Sequence, residues 1–402
     1  MRKILAALLV SVIICNITAC KTENAPTGPL GSSTIGEPSD PSEASAPDES
    51  NAPESTPKLA RVTVEGTKFM ADGKELWING TNTPWQKWND FTSSVMDVGF
   101  WDTEFERLVA DGVNCTRIWV NCDGMNIVRL SENGKVTSVN EEHWEALDAL
   151  FDLADKHGLY IMPTLLSFDH FKQPVGTAKK WQGLITNKEF ADSYAERYVK
   201  PFCERYGDRA CIMGIDIMNE PDWVNENDEC GKIAWDDISY FLGKCAAAVH
   251  SNSSILVTVG IGIIKYNSDN FEGNKVSDEY LKELTGDDGA YLDFYSTHYY
   301  NWQKPWFGFP CDKSPSEFGL AEAKPCVIGE THNDDAAECG MTLTEKYKSV
   351  YDNGWNGIMV WMDPNEETVW YEYALTREAT SAMAELIPEK VFPSKESLKE
   401  AA

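Results

Sequence analysis

The sequence is short of basic residues and of long apolar segments, and both shortages narrow what the protein can do. Its 402 residues include 35 Lys and Arg against 64 Asp and Glu, which gives a formal net charge of −29 at pH 7. So acidic a chain repels phosphate backbones and anionic membrane surfaces, which argues against nucleic acid as a partner. Only the N-terminus carries a long apolar run, which excludes a protein with several membrane spans. A neutral binding partner is the simplest match to so acidic a protein.

Cysteine is not scarce, but the close pairs that typify zinc ribbons and thioredoxin-like sites are missing. Eleven cysteines occur, and none of them forms a Cys-x-x-Cys pair, which argues against both kinds of site. Nine cysteines follow residue 20, an odd number that leaves at least one unpaired in a monomer. Several lie inside apolar segments, so free buried thiols are the simpler interpretation, although the pairing stays open. No metal and no cofactor is expected.

The one long apolar run has the form of an export signal. Arg2 and Lys3 precede about eleven mostly apolar residues, 4–14, a run too short to span a membrane as a helix. The following sequence Ile-Thr-Ala-Cys at 17–20 resembles a bacterial lipobox, in which the cysteine is lipidated after cleavage. We therefore expect residues 1–19 to be a lipoprotein signal peptide and Cys20 to carry the lipid. An ordinary signal peptide with a chance cysteine is the alternative.

The next segment, 20–58, has the composition of a flexible tether. Positions 21–58 contain seven Pro and seven Ser. Such a segment cannot bury enough apolar surface to offset its ordering entropy, so it stays extended and solvated. The predicted layout is a lipid anchor, a disordered arm, a folded domain at 59–390 and a polar tail at 391–402. This layout is typical of an extracellular protein that is held at the cell surface by its lipid, and we expect it to be a monomer.

From residue 60 onward, helical segments alternate with short apolar runs. Eight runs have the length of strands, at 76–80, 116–121, 160–166, 212–218, 255–261, 294–300, 326–330 and 357–362. Helical stretches lie at 101–111, 142–157, 188–206, 231–250, 277–285, 342–353 and 371–386. Eight strands alternating with helices fit a (β/α)8 barrel better than a doubly wound sheet, which usually has five or six strands. We therefore predict an α/β fold, a TIM barrel forming one catalytic domain, with a small hairpin at 62–70 beneath it.

Two glutamates follow predicted strands, at the end of the barrel where such folds place their active sites. Glu220 lies just after the fourth run and Glu330 ends the seventh, so they would face each other across the barrel mouth. Two facing carboxyl groups are what glycosidic bond cleavage needs. One protonates the leaving oxygen, and the other attacks or stabilises the oxocarbenium-like carbon. The residues themselves therefore predict a glycoside hydrolase.

The ordered set of residues at these strand ends resembles glycoside hydrolase family 5, within the clan A barrels of retaining β-glycanases. The set consists of Arg117, His170, Asn219-Glu220-Pro221, His298, Tyr300, Glu330 and Trp361, and the resemblance covers residues 60–388. It implies that Glu220 is the general acid/base and Glu330 the nucleophile. It also implies that Asn219 binds the sugar 2-hydroxyl, that Arg117 and Tyr300 keep Glu330 ionised, that His298 orients the surroundings of Glu220, and that Trp361 stacks beneath the sugar.

Tryptophans are concentrated in the predicted loops at the barrel mouth. They are Trp85, Trp88, Trp181, Trp223, Trp302 and Trp306. Because indole rings pack against the C–H faces of sugars, an exposed row of them suits a neutral polysaccharide. The candidates for binding substrate are therefore Trp85 and Trp302, together with Arg117, His170, Asn219, His298, Tyr300 and Trp361.

The predicted activity is a retaining endo-β-1,4-glycan hydrolase that acts on a neutral β-linked polysaccharide. The sequence Asn-Gly-Thr-Asn at 79–82, with Trp85 after it and Trp302 just after Tyr300, favours the β-mannanase branch and thus mannan or glucomannan. A cellulase stays open as an alternative. A surface protein that binds glycan without cleaving it also stays open, although both carboxylates are present. The polar run at 331–335 is interpreted as solvated rather than as part of the cleft or a calcium site.

Overall fold

The computed structural model describes residues 59–122, 124–172, 178–320, 323–332, 340–361 and 373–393. The predicted signal peptide, Cys20, the tether and most of the predicted tail lie outside these residues, as do Cys339 and positions 333–335 of the polar run. The predicted domain boundaries therefore stay predictions. Within the described ranges, no helix is both long enough and apolar enough to cross a membrane.

Three short antiparallel strands precede the barrel. They are β1 (Thr63–Glu65), β2 (Lys68–Ala71) and β3 (Lys74–Leu76), and β2 pairs with both of the others. The hairpin predicted at 62–70 is therefore present and is extended by a third strand. Phe69 of β2 is fully buried and packs edge-to-face on Phe294, with ring centroids 5.1 Å apart, which ties this small sheet to the barrel.

Eight parallel strands close into a barrel, so the predicted (β/α)8 fold is confirmed. In chain order they are β4 (Ile78–Asn82), β5 (Cys115–Trp119), β8 (Tyr160–Thr164), β9 (Gly214–Asn219), β10 (Leu256–Ile261), β11 (Tyr295–Tyr299), β12 (Cys326–His332) and β13 (Gly357–Trp361). Strand β13 pairs in parallel with β4 and completes the ring. Between β5 and the next barrel strand, a hairpin that was not predicted forms from β6 (Val128–Leu130) and β7 (Val136–Val139).

Helices surround the barrel and cover its outer face. They are α1 (Val98–Ala110), α2 (Glu141–His157), α3 (Ala178–Thr186), α4 (Lys188–Tyr194), α5 (Lys200–Tyr206), α6 (Pro221–Glu226), α7 (Trp235–Asn252), α8 (Asp278–Thr285), α9 (Lys304–Phe307), α10 (Leu343–Asp352) and α11 (Tyr373–Leu386). The helix predicted at 188–206 is interrupted by a π-helical turn at 195–199, and the helix predicted at 231–250 begins only at Trp235. Helix α3 was not predicted.

The local sequence explains where several of these helices begin and end. The Asn140 side chain accepts a hydrogen bond from the Glu142 N–H at the start of α2, which satisfies a donor that has no partner inside the helix. Gly158 ends the same helix in the left-handed conformation, with φ 68°, which glycine adopts without strain. Helix α10 begins with a capping box between Thr342 and Glu345.

The barrel strands are buried on both faces. Every residue of β4, β5, β8, β9, β10 and β11 is buried, because helices cover one face and the packed barrel interior covers the other. Buried free thiols lie in the strands and helices and in the connections between them, at Cys115, Cys203, Cys211, Cys230, Cys245 and Cys326. Free buried thiols were the simpler interpretation of the sequence, and these six confirm it.

Candidate active site

The two glutamates meet at the C-terminal end of the barrel. Glu220 directly follows β9 and Glu330 lies within β12. One carboxylate oxygen of each, with a ring nitrogen of His298, lie within 4.8 Å of one another. Retaining glycosidases separate their two carboxyl groups by about 5–5.5 Å, and inverting enzymes by about 6.5–9.5 Å to leave room for a water molecule. The close approach of these oxygens corresponds to the retaining arrangement.

Glu330 is surrounded by donors that favour its ionised form. Arg117 Nη1 donates a hydrogen bond to Oε1 at 2.6 Å, and the Tyr300 hydroxyl donates to Oε2 at 2.7 Å. Burial raises the pKa of Glu330 above its ordinary value, while His298, Arg117 and Tyr300 counter that rise. A carboxylate held by a cation and a hydroxyl is a group prepared to act as a nucleophile.

Glu220 has a different environment. Its Oε1 and His298 Nδ1 form a hydrogen bond at 3.0 Å, and 12% of the Glu220 side chain stays exposed to the cleft. Burial raises the pKa of Glu220 to about 7, although the charge of Arg117 lowers it. A carboxyl group that keeps its proton near neutral pH can protonate a leaving oxygen, so the two environments assign different tasks to the two glutamates.

His298 bridges the pair from within the barrel. It is fully buried, its Nδ1 also lies 3.5 Å from Glu330 Oε2, and burial lowers its pKa to about 4. The ring is therefore neutral at pH 7 and carries a proton on only one of its two nitrogens. Gly260 lies so close that a Cβ built on it would stand 2.7 Å from His298 Nε2. No larger residue fits there without moving the imidazole.

A buried network of hydrogen bonds fixes Arg117. Its Nε and Nη2 donate to Asp216 Oδ2 at 2.8 and 2.6 Å, and Nη2 also donates to Asn219 Oδ1 at 2.8 Å. Nη1 donates to Asn82 Oδ1 at 3.0 Å in addition to Glu330. One fully buried guanidinium thus connects β4, β5, β9 and β12 at the barrel mouth.

The backbone at Glu220 is strained. Its φ of 49° and ψ of 56° place it in the left-handed region, which is uncommon for a residue with a side chain and costs of order 1–3 kcal/mol. Pro221 opens α6 and disfavours the right-handed helical conformation at the residue before it. The Glu220 N–H donates to the Gly260 carbonyl at 2.7 Å, which anchors the turn.

An aromatic cleft of about 400 Å³ contains both glutamates. Its lining consists of Trp85, Trp88, Trp119, Phe168, Asp169, Asn219, Glu220, Trp223, Gly262, Tyr300, Trp302, Glu330 and Trp361. Trp85 is the centre of one aromatic group, with ring centroids 4.7 Å from Trp88, 5.1 Å from Trp119 and 6.0 Å from Trp361. Trp223 and Trp302 form a second group, 6.2 Å apart. Aromatic walls around a few polar groups are typical of a site for a neutral, sugar-like ligand.

A family model described as "Apiosidase-like, catalytic domain" matches residues 62–278, more than half of the chain. The chain belongs to this family. The match includes Glu220 and ends before Glu330, so it covers one member of the glutamate pair.

Individual relatives of this apiosidase-like chain extend the comparison over most of its length. The mannan endo-1,4-beta-mannosidase of Mytilus edulis is 27% identical over 336 residues, which cover 76% of this chain and 89% of that protein. The mannan endo-1,4-beta-mannosidase of Cryptopygus antarcticus is 22% identical over 328 residues, covering 74% and 82%. The solved structure of the beta-1,4-mannanase from Aplysia kurodai superposes with a TM-score of 0.73 at 24% identity, covering 83% of this chain and 99% of that one.

These matches confirm the predicted kinship to clan A glycoside hydrolases, and the apiosidase-like chain is a glycosyl hydrolase. The alternative of a glycan-binding protein without catalysis loses its support, because both glutamates are present and lie together in the cleft.

The structure places most of the sequence candidates at or directly beneath this cleft. Asn219, Tyr300, Trp361, Trp85 and Trp302 line it. Arg117 and His298 are fully buried, so they contact the glutamates rather than a bound sugar.

His170 and Trp181 lie elsewhere. His170 is fully buried and packs edge-to-face on Trp181, with centroids 4.7 Å apart. The Ser167 N–H donates to its Nδ1, and burial lowers its pKa to about 3. A ring without exposed surface does not contact substrate, so the structure contradicts its assignment to substrate binding. Trp181 belongs to α3 and is also fully buried, so its predicted place in a mouth loop is wrong.

Sequence reasoning missed Asp216 and Asn82. Asp216 also accepts hydrogen bonds from the Thr164 hydroxyl at 3.1 Å and the Gly260 N–H at 2.9 Å. The available signal was a carboxylate between Ile215 and Ile217 inside an otherwise apolar run, because a charge in a buried strand needs a partner. Asn82 ends the Asn-Gly-Thr-Asn sequence that favoured the β-mannanase branch, but it was given no role in the site.

Proposed function

We propose that this protein is a retaining endo-β-1,4-mannanase that hydrolyses β-mannan or glucomannan. The observation that carries the mechanism is the pair of glutamate oxygens within 4.8 Å in an aromatic cleft, with donors that favour ionised Glu330 and burial that favours protonated Glu220. The names of the relatives that match along most of the chain support mannan as the substrate.

The geometry supports a double displacement. The Glu330 carboxylate attacks the anomeric carbon and forms a glycosyl–enzyme ester, while Glu220 gives its proton to the departing glycosidic oxygen. Glu220, now ionised, takes a proton from water, and the resulting nucleophile attacks the same carbon and releases Glu330. Arg117 and Tyr300 hold Glu330 in place, and Asn219 presents its amide beside the sugar. The product keeps the β configuration.

The name of the matching family raises a second candidate, a glycosidase that removes apiose. The matched part ends before Glu330, so it describes the first part of the barrel rather than the complete site. The mannanase relatives cover 74–76% of this chain, and on this ground we favour mannan.

The proposed substrate is tested with a panel of glycans. We expect residues 59–402 to release reducing ends faster from mannan and glucomannan than from carboxymethyl cellulose, xylan or an aryl apioside. A rapid fall in the viscosity of soluble mannan checks for internal cleavage, and the isosteric variant Glu330→Gln is the inactive control. Faster cleavage of carboxymethyl cellulose would replace the mannanase with a cellulase, and faster cleavage of the apioside would favour the second candidate.

The N-terminal sequence supports a further proposal, that Cys20 carries a lipid and holds the enzyme at the cell surface. We expect the full-length wild type to partition into detergent and the Cys20→Ser variant to stay in the aqueous phase or keep its signal peptide. Equal partitioning of the two would contradict the anchor.

A further inference from the structure

Gly262 forms the wall of the cleft against which Glu220 packs. It follows β10 and lines the cleft beside Glu220. A Cβ built on Gly262 would lie 2.9 Å from Cγ, Cδ and Oε1 of Glu220, a distance at which one of the two residues has to shift. The position of the Gly262 backbone therefore limits where the Glu220 carboxyl group can lie.

Two buried side chains hold this backbone from both sides. Asp222 Oδ1 accepts a hydrogen bond from the Gly262 N–H at 2.9 Å. Gln303 Nε2 donates to the Gly262 carbonyl at 2.8 Å and to the His298 carbonyl at 3.4 Å. Asp222 lies in the first turn of α6, and Gln303 lies between β11 and α9. Asp222, Gln303 and the Gly262 backbone, here called the clamp, thus link the segments that follow β9, β10 and β11.

Each of these side chains keeps one polar atom without a partner. Asp222 Oδ2 and Gln303 Oε1 are buried and make no hydrogen bond to any residue that the structure describes. Within the described residues, each side chain therefore acts through its other polar atom, which bonds the backbone of Gly262.

Asp222 also lies next to the strained turn, because Glu220 is only two residues before it in the chain. Burial raises the pKa of Asp222 well above its ordinary value, and the charge of Glu220 raises it further. Asp222 acts through the oxygen that it offers to the Gly262 N–H, and an asparagine at this position would also offer an oxygen.

We propose that Asp222 and Gln303 are positioning residues, which clamp the Gly262 backbone so that Glu220 is aligned for proton transfer to the leaving oxygen. Neither residue touches the substrate in this assignment. The proposal rests on Glu220 being the acid/base of the proposed function, and it names two residues that act on the reaction only through Glu220.

The test compares substrates whose leaving groups do and do not need a proton. The variants are Asp222→Ala, Asp222→Asn, Gln303→Ala and Gln303→Glu, and kcat/KM is measured on β-mannan and on dinitrophenyl β-mannobioside. Because a small misalignment of a catalytic group costs up to about 10²-fold, we expect Asp222→Ala and both Gln303 variants to lose about 10-fold to 10²-fold on mannan. On the aryl substrate they should stay within about threefold, since dinitrophenolate leaves unaided. Asp222→Asn should resemble the wild type on both.

Asn267→Ala is the matched control. Asn267 is buried in the same connection after β10, and its side chain donates to Thr297 Oγ1 at 2.9 Å without a hydrogen bond to Gly262. It should show equal changes on the two substrates. Equal losses in the clamp variants, or unchanged activity on mannan, would overturn the proposal. If Asp222→Ala does not fold, as circular dichroism would show, the Gln303 variants decide the question.

The test of the clamp does not depend on mannan being the correct substrate. If the wild type prefers cellulose, the same ratio is measured with carboxymethyl cellulose and dinitrophenyl β-cellobioside, and the clamp is judged on that pair.

Discussion

Replacing Glu330 with alanine is expected to abolish hydrolysis of every substrate, with a loss of more than about 10⁴-fold whatever the leaving group. The variant has no group that can form the glycosyl–enzyme, and an easily departing phenol does not replace it. Turnover of mannan and of dinitrophenyl β-mannobioside should therefore fall together. Added azide should occupy the space of the missing carboxylate and attack from that face, giving the α-glycosyl azide.

Replacing Glu220 with alanine should separate the same two substrates. We expect kcat/KM on mannan to fall by about 10²–10⁴-fold, because the leaving oxygen receives no proton. The dinitrophenyl substrate should still form the glycosyl–enzyme, which then hydrolyses slowly. Azide should accelerate this second step and give the β-glycosyl azide.

The pH dependence of kcat/KM tests the same assignment of Glu220 as the acid. In the wild type, kcat/KM on mannan should fall as the pH rises through about 7, because the pKa of Glu220 is raised to about 7 and only its protonated form acts as the acid. Glu220→Ala should lack this fall on the aryl substrate. Azide products of exchanged configuration, or a fall at the same pH in the variant, would show that the two roles are assigned the wrong way round.

Arg117→Met is expected to reduce both stability and activity. The variant leaves the buried carboxylates of Asp216 and Glu330 without their cation, and breaking a buried ion pair from one side costs about 3–5 kcal/mol of unfolding free energy. The surviving enzyme should lose more than about 10²-fold in kcat/KM on both substrates, because Glu330 is no longer held ionised in position. Urea unfolding and kinetics on mannan and the aryl glycoside measure the two effects.

Arg205→Met provides the matched control for this variant. Arg205 pairs with Asp148 at the surface, where 44% of the arginine side chain is exposed, so the variant should lose at most about 1 kcal/mol and keep full activity. Arg117→Lys keeps the charge but not the planar fork that reaches four acceptors, so it should recover only part of the loss. Equal stability of the Arg117→Met and Arg205→Met variants would contradict a structural role for the buried guanidinium.

Most of the fold was predictable because its signals are local. The alternation of apolar runs with helical segments is set by residues close together in the chain, and each predicted strand overlaps an observed barrel strand with its ends shifted by two residues at most. Glu220 and Glu330 were predictable for a related reason. The closure of a barrel fixes which strand ends share the mouth, so two carboxylates at the right ends must meet.

Burial at individual positions was not predictable in the same way. His170 follows β8, the right strand for a cleft residue, but α3 inserts Trp181 against its ring and covers it. No apolar periodicity predicts this contact between two side chains that are joined by a connection outside the strands. Both faces of a barrel strand are buried, so a run such as Ile215-Asp216-Ile217 does not show by periodicity that its aspartate points inward. The left-handed backbone of Glu220 likewise depends on the turn between β9 and α6.

The six buried thiols also provide a way to measure the local opening of the barrel and its helices. Burial raises the pKa of Cys203 to about 11, and that of Cys230 and Cys326 to about 12. A thiol with so high a pKa and no access to solvent reacts with an alkylating reagent only when its surroundings open. Cys115 lies in β5 and Cys326 in β12, on strands that both contribute to the arginine network, whereas Cys203 and Cys245 lie in α5 and α7. The order in which these cysteines become labelled would therefore rank the local stability of strands and helices without any engineered probe.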